Sequence, residues 1–184
     1  TRVAHDPRIT TIVLGKGEHV VEVFFDKEWG LDRNFLTINS AMHIVGRPDV
    51  PKEKIVVVGA IFFKEGIQGN SHLQHMTLRL AKMSGVGGQS SFTMEDVLVE
   101  QCGCSGVCAV GSGVVSRCTN VEVRQCGLSG VAASDGASIT LIGAKTTVHH
   151  NCTKGDSDGY GLKVSWSSSS TIQLVSPLTK EQVS

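Results

Sequence analysis

Aromatic residues make up only 5% of this 184-residue chain, and its 17 basic residues are balanced by 17 acidic ones. The first shortage argues against a base-stacking surface. The second removes the global field that would draw in nucleic acid or an acidic membrane. No apolar run approaches the roughly 20 residues that cross a bilayer as a helix. No segment carries a helical stripe, and proline is scarce at 4 residues. A hydrophobic fraction of 40% is enough for one well-buried domain and short for two. Residues 1–184 are therefore read as a single domain, with 1–32 partly an N-terminal cap, 33–176 the body and 177–184 a tail.

What is abundant is glycine, at 21 residues, and much of it falls in a repeated phrase. Ser84-Gly85-Val86, Ser105-Gly106-Val107 and Ser129-Gly130-Val131 recur, with a looser copy ending at Tyr160-Gly161-Leu162; the glycines are 21, 24 and 31 residues apart. Each copy follows a run with apolar residues at alternate positions, such as Val97-Leu98-Val99-Glu100. Strand periodicity repeated at this interval predicts a solenoid, whose units bury their apolar faces only by stacking on one another. Aligned, the repeats give vertical stacks: Leu73/Met94/Cys118, Met76/Val97/Val121, Leu78/Val99/Val123, Ala81/Cys102/Cys126, Val86/Val107/Val131/Leu162 and Gly88/Ala109/Ala133/Val164. Cys152 is expected to extend the Ala81/Cys102/Cys126 stack. Arg79, Glu100 and Arg124 form an outward row of alternating charge, a solvated ladder before it is a ligand-binding row.

Thr11-Ile12-Val13-Leu14-Gly15-Lys16-Gly17-Glu18-His19 resembles the opening strand of right-handed parallel β-helix proteins of the pectin-lyase-like superfamily. Ala41–Gly46 and Ile55–Gly59 resemble the next turns, and Thr147–Cys152 and Tyr160–Val164 resemble its later coils of carbohydrate-binding and sugar-hydrolase (CASH) type. The resemblance implies an all-β, single right-handed parallel β-helix of about six or seven coils over roughly residues 9–176. It implies no one activity, because the fold hosts many. The Asn-Thr-Asp, Asp-Asp and Gly-His-Gly strings of the family's polygalacturonases are missing, as is the Gly-Ser-Val-Asp-Phe-Ile-Phe-Gly stretch of its pectin methylesterases. The Asp-Pro-His-Glu string of mannuronan epimerases is absent too; His5-Asp6-Pro7 lies at the wrong end.

The candidate catalytic groups are Arg124, His149, His150, Lys163, Asp156 and Asp158. A lyase needs a base and a cation to stabilise developing charge, which Arg124, His149 and Lys163 could supply from one face. Asp156-Ser157-Asp158-Gly159 reads first as a polar turn; it starts like a calcium loop but lacks the later ligands. His149 and His150 are adjacent, so in a strand their rings would point to opposite faces, and His72-x-x-His75 could share a metal only if the chain bends. Neither a metal nor a cofactor is expected. The six cysteines, Cys102, Cys104, Cys108, Cys118, Cys126 and Cys152, read as reduced small hydrophobes, which leans slightly towards a non-oxidising, intracellular setting. A binding face is expected at Gly87, Cys108, Ala132 and Lys163, small outward residues stacked over successive coils.

Three functions follow. The leading one is a non-catalytic binding or scaffold module that presents a flat sheet to carbohydrate or protein. The second is a polysaccharide lyase, epimerase or hydrolase of atypical motif. The third is a structural coil that self-associates end to end, since Thr171–Ser176 stops at Pro177 with little left to cover it. Neither nucleic acid nor membrane is an expected partner.

Overall fold

The structure, a computed structural model, describes residues 9–28, 30–155, 160–165 and 169–183. Among these residues helix is confined to two 3-10 turns, Lys52–Lys54 and Lys180–Val183. The first pass of the chain comprises β1 (Thr11–Leu14), β2 (Gly17–Val20), the antiparallel hairpin β3 (Phe24–Asp26) and β4 (Leu31–Arg33), and β5 (Phe35–Ile38). The second has β6 (His43–Gly46), β7 (Ile55–Val58) and β8 (Ala60–Phe63). The next two are β9 (Ser71–Arg79) with β10 (Val86–Gly88), and β11 (Phe92–Glu100) with β12 (Val107–Val110). Then come β13 (Val115–Thr119), β14 (Glu122–Arg124) and β15 (Val131–Ser134), followed by β16 (Ser138–Ile142), β17 (Thr147–His149) and β18 (Leu162–Ser165), and finally β19 (Thr171–Val175).

Equivalent strands of successive passes pair in parallel. The first face is β1-β6-β9-β11-β13-β16-β19, and the third is β5-β8-β10-β12-β15-β18. The second face, β2-β7-β9-β11-β14-β17, uses the later halves of β9 and β11 and is continuous with the first. Three parallel sheets wound around one interior make the parallel β-helix that the repeats and the resemblance imply. It has about five turns rather than six or seven. The six strands of the third face enclose five intervals, and the passes at both ends are partial.

The expected stacks are in register. Leu73 pairs with Met94 and Met94 with Cys118; Leu78, Val99 and Val123 align, as do Val86, Val107, Val131 and Leu162. Leu73, Met76, Leu78, Val97, Val99, Val107, Cys118, Val121, Val123 and Val131 are fully buried. Like apolar residues stack one strand apart through the interior, about 4.8 Å from one to the next.

Two left-handed bends in each of the middle passes turn the flat repeats into a prism. His75, Asp96 and Asn120 (φ 55, 51 and 51) separate the first face from the second, and Leu80, Gln101, Gln125 and His150 (φ 57, 54, 55 and 53) close the second. The slip of the repeat near residue 143 is an enlarged first bend, residues 143–146, which hands the chain back at Thr147 opposite Glu122. Thr146, fully buried, follows Val121 in the stack and satisfies its hydroxyl on the Ile142 carbonyl.

Two expectations are corrected. Asn151, not Cys152, follows Cys126 at the corner: its Oδ1 accepts from the Cys126 N–H at 3.0 Å and its Nδ2 donates to Val123 O at 3.1 Å. Cys152 has already left the stack in a left-handed conformation (φ 64). The C-terminal end is also covered, because residues 177–183 fold back over β17 and bury Leu178 and Val183 in the core. Two apolar side chains in a polar tail are enough to plug the narrow interior.

A segment clips over the second face. Residues 47–54 leave β6, and Thr77 Oγ1 donates to Lys52 O at 3.1 Å, so the outward residues Val56, Thr77 and Leu98 are buried. His75 fastens this clip through both ring nitrogens, 2.6 Å from Asp96 Oδ2 and 2.8 Å from Val50 O, while Lys52 Nζ lies 2.7 Å from Asp96 Oδ1. The Val50 carbonyl first, and then Asp96, raise the His75 pKa against burial and the Lys52 charge. Burial alone would raise Asp96, but hydrogen bonds from Lys52 and His75 outweigh it and leave its pKa lowered.

A raised histidine pKa stabilises the fold below the unfolded value of about 6.5, and that contribution is lost as pH rises through the folded value. The lowered Asp96 pKa acts in the other direction, its contribution being lost as pH falls through the folded value. His75→Gln should therefore destabilise by about 1 kcal/mol more at about pH 5.5 than at about pH 8.5. Paired urea titrations of the two proteins measure the difference; a gap that does not change with pH contradicts the charged clip.

Candidate functional site

Two outward surfaces carry the candidate residues, one ionic and one apolar. On the second face, Arg124 places Nε and Nη2 at 3.0 and 2.8 Å from Glu100 Oε2 and Nη1 at 2.8 Å from Glu122 Oε1. These contacts come from strand register, since Glu100 pairs with Arg124 and Arg124 with His149. The Glu100 carboxylate, more than the neighbouring Glu122, holds the Arg124 pKa up against burial. Arg79 turns instead to Glu18 on the first pass. His149 Nε2 lies 3.5 Å from Glu122 Oε1.

His149 and His150 do not diverge as a straight strand would require. His150 occupies the left-handed bend, so the two rings meet with Nδ1 atoms 2.7 Å apart and centroids 4.9 Å apart. Arg124, His149 and His150 therefore belong to one ladder with Glu100 and Glu122. Lys163 does not join them; it pairs with Ala132 on the third face. Asp156 and Asp158 lie outside the described residues. His72 and His75 are not brought onto a common point: His72 Nδ1 is 2.7 Å from Thr93 Oγ1, and His75 belongs to the clip.

On the third face the expected row is in register, Gly87 beside Cys108, Cys108 beside Ala132, and Ala132 beside Lys163. The row begins earlier, however, with Thr37 and Phe62. Gly87 is buried because Phe62 lies across it: a Cβ on Gly87 would sit 3.1 and 3.6 Å from ring atoms of Phe62. A side chain at position 87 would prop the ring up. Phe35 packs beside Phe62 at 5.9 Å between centroids, and Phe24 of the hairpin meets Phe35 edge-on at 5.1 Å. The Arg33 guanidinium lies 5.9 Å above the Phe35 ring and 3.1 Å from Asp26 Oδ2.

Phe24, Arg33, Phe35, Phe62, Gly87 and Cys108 line a cavity of about 1190 Å³ that stops short of Ala132 and Lys163. It runs along the third face past Phe62, Gly87 and Cys108, then over the edge of β5 into the N-terminal mouth of the coil, where Ile12, Leu14 and Leu36 are half-buried. Gln89, Asn39 and Lys64 stand on its rim. Its lining holds one carboxylate among the described residues, Glu22. Sequence reasoning found the small residues of this surface but missed the aromatics that make it a trough. The signal was present: in Ile61-Phe62-Phe63, strand alternation sends Phe62 outward when Ile61 and Phe63 face the core.

No family model and no curated protein matches the chain. Among solved structures, the Azotobacter vinelandii mannuronan C-5 epimerase AlgE4 A-module is similar at a TM-score of 0.26 and 10% identity, covering 97% of this chain and 83% of that one. Likeness at that level carries no argument about activity.

The thiols are free. Burial pushes Cys118 up to about 12 and Cys108 up to about 11. The Cys102 and Cys126 thiols donate to the Glu100 and Arg124 carbonyls at 3.5 and 3.4 Å, and their mutual proximity raises the pKa of the first and lowers that of the second. A thiol with a pKa raised this far is a poor nucleophile at neutral pH, which is the case for Cys108 on the trough floor.

Proposed function

We propose that this chain is a non-catalytic carbohydrate-binding module whose ligand lies along the trough of the third face. The observation that carries this reading is the contrast between the two surfaces. The charged groups on the second face are spent on one another, whereas the aromatic trough is open. Glycoside hydrolysis takes two carboxylates flanking one bond, and the trough lining offers Glu22 alone among the described residues. Its aromatic floor and polar rim suit a ligand with one apolar and one hydroxylated surface. The test is a panel of immobilised polysaccharides, scored for retention of the protein, for new reducing ends and for ultraviolet absorbance from unsaturated product. Retention without product is the expected result. Product formed by the native protein and lost in Arg124→Ala would move the function to the ionic ladder.

A further inference from the structure

Resting on that reading, we infer that the trough takes a neutral glycan chain rather than a uronate polymer. The argument is one of charge. The floor positions Thr37, Phe62, Gly87 and Cys108 follow one another on four adjacent strands of the third sheet, and all are uncharged. Thr37 and Cys108 are three strand steps apart, about 14 Å, the length of a short oligosaccharide. A uronate polymer laid there would press a carboxylate of each ring against phenyl, thiol and methyl groups, and an unpaired buried charge is costly.

The charged groups lining the cavity do not repair this. Arg33 is engaged with Asp26 and stacked on Phe35. Lys64 is matched in number by Glu22. The Arg79 and Arg124 cations of the other face are bound to Glu18, Glu100 and Glu122.

A neutral ring meets no such penalty. Its C–H face rests on Phe62, which Gly87 holds flat against the sheet. Its hydroxyls meet Asn39, Gln89 and Thr37 along the lining, side chains that both donate and accept. Electrically neutral recognition of this kind is also insensitive to salt, unlike cation-mediated capture of a polyanion.

The experiment measures affinity of the intact protein for laminarin, xylan and mannan against alginate and polygalacturonate, each at low and high salt. Tight binding to at least one neutral glycan, unchanged by salt, is expected. Phe62→Ala should weaken it about tenfold. Gln89→Ala, at an exposed position where loss of fold is not at issue, should weaken it severalfold. Preference for a uronate, falling steeply with salt, would overturn the neutral assignment and leave the binding-module reading intact. Neutral-glycan binding indifferent to both variants would overturn the trough as its site. Failure to bind any glycan would overturn both readings and turn attention to extended peptides.

Discussion

Gly106→Ala should cost about 3 kcal/mol or more, or prevent folding altogether. The expected damage comes from the closeness of the corner. A Cβ at position 106 would lie 2.2 Å from Val123 Cγ1, 2.8 Å from Gly130 O and 3.2 Å from Cys126 Sγ. Two of these contacts are core groups with no room to retreat. The same geometry holds one step away on both sides, where Cβ atoms on Gly85 and Gly130 would approach Val99 Cγ1 to 2.6 Å and Val148 Cγ1 to 2.3 Å. The glycine of the repeated Ser-Gly-Val therefore marks the point at which the chain crosses closely over the second sheet. Its φ is not the issue, since none of the three is in the left-handed region. Gly15→Ala is the matched control, because nothing lies within 4 Å of its Cβ position; it should change stability by less than about 0.5 kcal/mol. Urea midpoints with unchanged slopes would measure both, and equal effects would contradict the account.

Asn151→Ala and Asn34→Ala should each cost about 2–4 kcal/mol, the result of orphaning two backbone groups apiece. Asn151 holds Cys126 N–H and Val123 O. Asn34, 5% exposed, accepts from Lys82 N–H at 2.7 Å and donates to Leu80 O at 3.1 Å. Thus Asn34 serves the Leu80–Lys82 corner and Asn151 the Val123–Cys126 corner, either side of the small apolar stack Ala81/Cys102/Cys126. Each amide supplies a donor and an acceptor where backbone pairing alone leaves both unmet. Asn151→Asp separates the two bonds: the acceptor half survives and the donor half is lost. Thermal denaturation of the three variants should rank the alanine changes as the more damaging. An Asn151→Ala protein as stable as the parent would show that water replaces the amide, and would contradict this role.

The stacks were legible in the sequence because their spacing is set by a repeat and their residues are chemically alike. The bends were not. Left-handed conformations at Leu80, Gln101 and Gln125 carry no turn signature of the kind Gly or Asn gives; they are imposed by neighbouring coils that bend at the same place. This omission produced the error over His149 and His150, since alternation holds only while the strand continues. The C-terminal plug was missed because Leu178 and Val183 show no periodicity, yet two side chains suffice to close an interior so narrow. The site was half legible. The small residues Gly87, Cys108 and Ala132 stood out as a column, but Phe62 and Phe35 come from passes where the repeated phrase is absent. The charge row Arg79, Glu100 and Arg124 was visible, but its pairing was not, because Glu18 and Glu122 reach it from other rows.

The proposal that binding falls on the third face rests on the contrast between a self-satisfied ionic ladder and an open aromatic trough. Isotope-labelled protein titrated with the best-retained oligosaccharide, read by amide chemical shifts, tests that assignment most directly. Shifts concentrated at Phe62, Gly87 and Cys108, with Arg124, His149 and His150 unmoved, are the predicted result. Shifts centred on Arg124, His149 and His150, with the third face silent, would contradict it.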